Sequence, residues 1–156
     1  MIRVLIAEDQ AMVREALAAL LELEPDIEVV AQVGRGDEVL AAARVAQPDV
    51  ALLDIEMPGS SGLEATERLR ADLPQIRVLI LTTFGRPGYL RRAFDAGASG
   101  FLLKDAPAAQ LASAVRRAVT GERVVDPDLA VGIRQEGEEF GDALVFLGRF
   151  AAHHPQ

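Results

Sequence analysis

Five short apolar runs, each followed by a turn and most by a stretch of helical periodicity, constrain this sequence more than any other feature. They cover residues 2–7, 27–33, 49–53, 77–82 and 99–103. Runs of this length, rich in Val, Ile and Leu and bounded by Pro and Gly, read as strands buried on both faces, as in a parallel sheet. Parallel strands need crossover connections, and right-handed crossovers place helices on both faces of the sheet. The expected fold class is therefore α/β, a doubly wound five-stranded parallel sheet. Residues 27–33 alternate in side-chain character, which sets that strand nearer an edge.

The intervening stretches supply the helices. Val13, Leu17, Leu20 and Leu21 fall at helical spacing over residues 11–23, and Pro25 ends that helix. Asp37 is the expected cap of a helix over 38–46, stopped by Pro48. Ser61 and Glu64 have the spacing of a capping box, so a third helix is expected over 63–72. Pro87 and Gly88 introduce a short fourth helix ending near Asp95 to Gly97. Asp105 is the expected cap of the fifth, which tolerates Pro107 in its first turn and runs to about Thr120. The expected strand order is the flavodoxin-like 2-1-3-4-5, whose crevice lies outside the carboxyl ends of strands 1 and 3.

That crevice collects unusual residues. Asp54 ends the third run, and the turn Met57-Pro58-Gly59-Ser60-Ser61-Gly62 follows it closely. Glu8 and Asp9 follow the first run, Thr82 ends the fourth, and Lys104 ends the fifth. Singly, each has an ordinary explanation: a turn aspartate, a surface lysine, a β-branched strand residue. Their convergence on one sheet edge is what points to a site. Two carboxylates ~4 Å apart repel by ~4 kcal/mol at an effective dielectric of 20, and a hard divalent cation turns that cost into binding.

The constellation resembles the receiver domain of two-component response regulators, in the NarL/FixJ (LuxR-type) subfamily. The resemblance runs over about residues 2–120 and includes the MPGSSGLE loop after Asp54. It implies that Asp54 accepts a phosphoryl group from a sensor histidine kinase. It further implies that Mg²⁺ is held directly by Asp9 and Asp54, by the Glu56 backbone carbonyl, and through water by Glu8. Lys104 and Thr82 would contact the phosphoryl oxygens. Thr82 would also form a switch with Phe101, three residues before the lysine; Phe101 has no hydroxyl and reads equally well as core. A chain of this kind is a signalling domain with self-catalysed transfer to Asp54, not an enzyme, and it belongs to transcription regulation. A degenerate receiver acting as an interaction module should have lost an acid, the threonine or the lysine, and all are present. A Mg²⁺-dependent aspartyl-phosphate hydrolase of the haloacid-dehalogenase kind carries Asp-x-Asp after its first strand, and Ala7-Glu8-Asp9-Gln10 does not match.

The remainder fits a 1–122 receiver and a 123–156 linker and partly helical tail. Asp126-Pro127 is the expected start of a short helix to about 133, and Phe140, Leu144, Leu147 and Ala151 form an apolar stripe. That stripe either folds back on its own domain or pairs with a second copy, so a homodimer using the tail is one expectation. His153 and His154 sit in a terminal HHPQ, where disorder is the default. The subfamily's transcriptional members open a helix-turn-helix domain with Leu-Thr-x-Arg-Glu. That segment is absent from the 26 residues after Ala130, so no nucleic-acid binding by this chain is expected. A net charge of −8 agrees with this, because non-specific DNA binding is driven by cationic contacts. The chain has no cysteine, no signal-peptide layout, and no apolar run near the ~20 residues that span a bilayer. A cytoplasmic location without membrane association is expected.

Overall fold

The computed structural model describes residues 1–83 and 88–126. Six strands form one parallel sheet in the order β2-β1-β3-β4-β5-β6. They are β1 (Ile2–Ala7), β2 (Ile27–Val33), β3 (Val50–Asp54), β4 (Arg77–Thr82), β5 (Gly100–Leu103) and β6 (Val124–Val125). The first five keep the expected order, and β2 takes the edge that its half-polar pattern predicts. β6 is an addition to the expected five-stranded sheet. It lies past residue 122, where the linker is expected to begin, and pairs Val124 with Gly100 and Val125 with Phe101. Two apolar residues are too few to carry a periodic signal.

Alternate side chains of the strands point to opposite faces. Val4, Ile6, Val50, Leu52, Leu79, Leu81 and Leu102 pack with α1 (Ala11–Glu22) and α5 (Ala108–Val119). Leu5, Ala7, Ala51, Leu53, Val78, Ile80 and Phe101 pack with α2 (Val39–Ala46), α3 (Gly62–Asp72) and α4 (Tyr89–Asp95). Every residue of β3 is buried, which is why that run shows no polar alternation. Among the described residues, no helix is long and apolar enough to cross a membrane.

Of the caps expected for α2, α3 and α5, one forms as read. Ser61 Oγ accepts from Glu64 N at 3.1 Å, and Glu64 Oε1 accepts from Ser61 N at 3.0 Å. Asp37 does not cap α2: it sits in a 3-10 turn (Gly36–Glu38) and accepts from Arg35 Nε at 3.0 Å. A guanidinium two residues away is a better partner for a carboxylate than a backbone amide. Asp105 does not cap α5 either. Pro107 takes the cap position, already extended at φ −56° and ψ 146°, and α5 has no side-chain cap.

Asp126, expected as a helix cap, is buried against the sheet. Its N–H donates to Phe101 O at 3.0 Å, and its Oδ2 accepts from Gln110 Nε2 at 3.0 Å and Leu103 N at 3.4 Å. The helix expected from Pro127, the apolar stripe and the two histidines lie outside the described residues. Asp126→Ala would strand the Gln110 and Leu103 donors beside a hole, at a cost of about 1–3 kcal/mol. The urea midpoint should fall accordingly with the slope unchanged, and an unmoved midpoint would mean that water replaces both bonds.

Candidate functional site

The strand register brings the expected residues to one edge. Ala7 pairs with Leu53, Asp54 with Leu81, and Thr82 with Leu103, so Glu8, Asp54, Thr82 and Lys104 emerge side by side. Backbone bonds fix the exits: Glu8 N donates to Val33 O at 3.0 Å, Ile55 N to Leu81 O at 3.0 Å, and Lys104 N to Thr82 O at 2.8 Å. These ends open into a cavity of about 670 Å³ whose lining includes Asp9, Asp54, Glu56, Thr82 and Lys104.

Strand alternation divides the residues between two faces. Glu8, Asp54 and Lys104 continue the positions of Ile6, Leu52 and Leu102, on the α1/α5 side. Thr82 and Phe101 continue the other set, on the α4 side. Thr82 faces Leu103 directly, and Phe101 is two residues before Leu103 on the same face, a diagonal neighbour. Phe101 is packed into the core, as its second reading anticipates.

Lys104 joins the acids. Its Nζ lies 2.5 Å from Glu8 Oε1 and donates to Asp54 Oδ2 at 3.0 Å. Glu8 is wholly buried, with Oε2 accepting from Gln10 N at 2.8 Å. Its Oε1 makes the ionic contact but no hydrogen bond of proper geometry. Burial pushes the Glu8 and Asp54 carboxyls up from their ordinary values, against the pull of the Lys104 ammonium. Burial works against the ammonium too, but its contacts to Glu8 and Asp54 prevail and hold it above its usual value.

Oxygen atoms of Glu8, Asp9 and Asp54 all lie within 4.8 Å of one another. Three carboxylates against one ammonium leave two formal negative charges. Only hard oxygen donors are offered, gathered within reach of a single ion. That set fits a hard divalent cation such as Mg²⁺.

Asp54 is positioned by the loop that follows it. Its Oδ1 accepts weakly from Glu56 N at 3.4 Å. The loop closes where Gly62 N donates to Ile55 O at 2.9 Å. Gly62 passes so near the strand end that a Cβ there would lie 2.2 Å from Asp54 O, so only glycine fits.

The response regulator receiver domain, as a family, matches residues 4–116. The chain belongs to that family. The receiver is 45% identical over 142 residues to the transcriptional regulatory protein DesR of Bacillus subtilis, covering 91% of this chain and 70% of DesR. It is 48% identical over 136 residues to the uncharacterized transcriptional regulatory protein YvfU of the same organism, covering 87% and 68%. Among solved structures, it is similar to a LuxR-family two-component response regulator from Aurantimonas sp. SI85-9A1. That likeness has a TM-score of 0.81 at 34% identity, over 86% of this chain and 96% of the other. The relatives place the receiver with the NarL/LuxR-type regulators, the subfamily its sequence resembles.

Several lining residues carry no signal in the sequence that ties them to the site. Gln10, Val13, Met57 and Tyr89 face the receiver's cavity, and Arg14 Nη1 donates to Glu8 O at 2.6 Å. None stands out by residue type, and only the folded chain brings them to the strand ends.

Proposed function

We propose that this receiver accepts a phosphoryl group on Asp54 from a phosphohistidine of a sensor histidine kinase, in a Mg²⁺-dependent reaction. The observation that carries the reading is Asp54 itself, a buried carboxylate at the cavity floor with Lys104 on one oxygen and two further acids alongside. A carboxylate oxygen of Asp54 attacks phosphorus, the P–N bond breaks, and its electron pair leaves with the imidazole, which takes up a proton. Asp9, Asp54 and the Glu56 carbonyl would hold Mg²⁺ directly and Glu8 through water. The ion supplies neutralisation of the charge that gathers on the phosphoryl oxygens. Lys104 stays with the site as a cation for one phosphoryl oxygen, and the Thr82 hydroxyl donates to another. Turning Thr82 toward the phosphoryl group frees space on the α4 side, where Phe101 can repack and bias the adjoining surface. Output then passes to transcription through a protein surface, with a second copy of the chain as one partner.

Acetyl phosphate and Mg²⁺ should add one phosphoryl mass to the intact protein, and a chelator should prevent it. A chain that stays unlabelled with Mg²⁺ present sinks the reading. The ligand assignment has its own check by calorimetry. Asp9→Ala should remove measurable Mg²⁺ binding, while Glu8→Gln should weaken it by about 10-fold, the lower end for an outer-shell partner. Equal losses in the two variants would put Glu8 in direct contact with the ion.

A further inference from the structure

The loop between Asp54 and α3 is held from outside as well as within. Gly36, in the 3-10 turn after β2, donates its N–H to Pro58 O at 3.0 Å. The two backbones approach so closely that a Cβ on Gly36 would lie 1.8 Å from Ser60 O and 2.6 Å from Ser60 C. Both are main-chain atoms, so no change of side-chain rotamer relieves the overlap. On the other side, Arg68 Nη1 donates to the buried Ser60 Oγ at 2.7 Å. The far end of the loop is pinned at Gly62 against Asp54 O. An added methyl group therefore forces a shift of one backbone against the other, and the loop fixed at both ends transmits its share of that shift along residues 55–61. Glu56, whose carbonyl is the proposed cation ligand, lies within it.

We propose that Gly36 is a positioning residue for the cation site. By letting the Pro58–Ser60 backbone close upon it, Gly36 sets where the Glu56 carbonyl stands relative to Asp9 and Asp54. It thereby favours Mg²⁺, which demands near-ideal octahedral geometry, over Ca²⁺, which tolerates irregular shells. The inference rests on the reading of Glu56 as a ligand.

The test is a pair of titrations of the full chain, Mg²⁺ and Ca²⁺, followed by amide NMR shifts, with thermal melts in chelator alongside. Gly36→Ala should weaken Mg²⁺ about tenfold, the low end for residues that support a ligand, and Ca²⁺ less than about threefold. Gly121→Ala is the control: it strains a turn at φ 90° just past the end of α5, with no atom within 4 Å of the added methyl, and should lower the melting point while leaving the ratio alone. If Gly36→Ala does not fold, Arg68→Ala decides, because it loosens the same loop without overlap and should lower the Mg²⁺/Ca²⁺ preference in the same sense. Equal weakening of both ions, or no change in either, overturns the role of Gly36. A wild-type chain that binds neither ion overturns the cation site itself, which is a different failure.

Discussion

Asp54→Ala is expected to abolish phosphoryl transfer while leaving the fold intact. No neighbouring acid can substitute. Glu8 is wholly buried and already engaged by Lys104 and Gln10, and Asp9 is on the exposed side of the acid pair. The variant should show no mass increase with acetyl phosphate and Mg²⁺ under conditions that label the wild type completely. Its melting temperature in chelator should not fall and should tend to rise. Removing one of the three crowded carboxylates relieves repulsion, ~4 kcal/mol for a pair at ~4 Å and an effective dielectric of 20, partly offset by the lost contact to Lys104. Labelling that survives in Asp54→Ala would move the acceptor elsewhere. A melting point that collapses would mean that Asp54 is held for the sheet's sake, with Lys104 as its structural partner.

The sequence made the sheet legible because the strands are buried on both faces. Ile2–Ala7 and Val50–Asp54 carry no alternation to confuse with a helix, and Pro or Gly punctuates the chain between units. Four of the strand-end groups were legible for the same reason: a polar residue ending an apolar run has little choice about where it emerges. What stayed hidden depends on contacts between distant segments. Asp37 and Asp105 look like caps because their local sequence favours it, but Arg35 and Pro107 decide otherwise. The Lys104 bridge to Glu8 needs β5 and β1 to be brought to the same edge across two intervening strands. Gly36 reads as an ordinary turn glycine until the loop at Ser60 arrives against it. β6 is hidden for another reason, since only pairing with β5 makes a strand of two residues.

Lys104→Ala should be the most destabilising single change at the site when no cation is present. Lys104 is the group that draws the Glu8 and Asp54 carboxyls down against burial, and its loss leaves two buried acids facing each other. Breaking a buried pair by removing one partner costs about 3–5 kcal/mol, and the low end applies because the lysine side chain is 17% exposed. The pH dependence follows from the direction of the shifts. A carboxyl whose folded pKa stands above its unfolded value binds more protons in the folded state, so folding is favoured at low pH. That advantage is full below the unfolded pKa and is lost as pH rises through the folded one. In chelator, Lys104→Ala should therefore regain stability as pH falls from neutral toward the ordinary carboxylate range, more steeply than the wild type. Mg²⁺ should restore it at neutral pH by binding the folded state alone, increasingly with concentration. Urea unfolding at two pH values, with and without Mg²⁺, measures both effects. If the variant is as stable as the wild type in chelator at neutral pH, Glu8 and Asp54 are solvated well enough without the ammonium. The lysine would then serve the phosphoryl group alone.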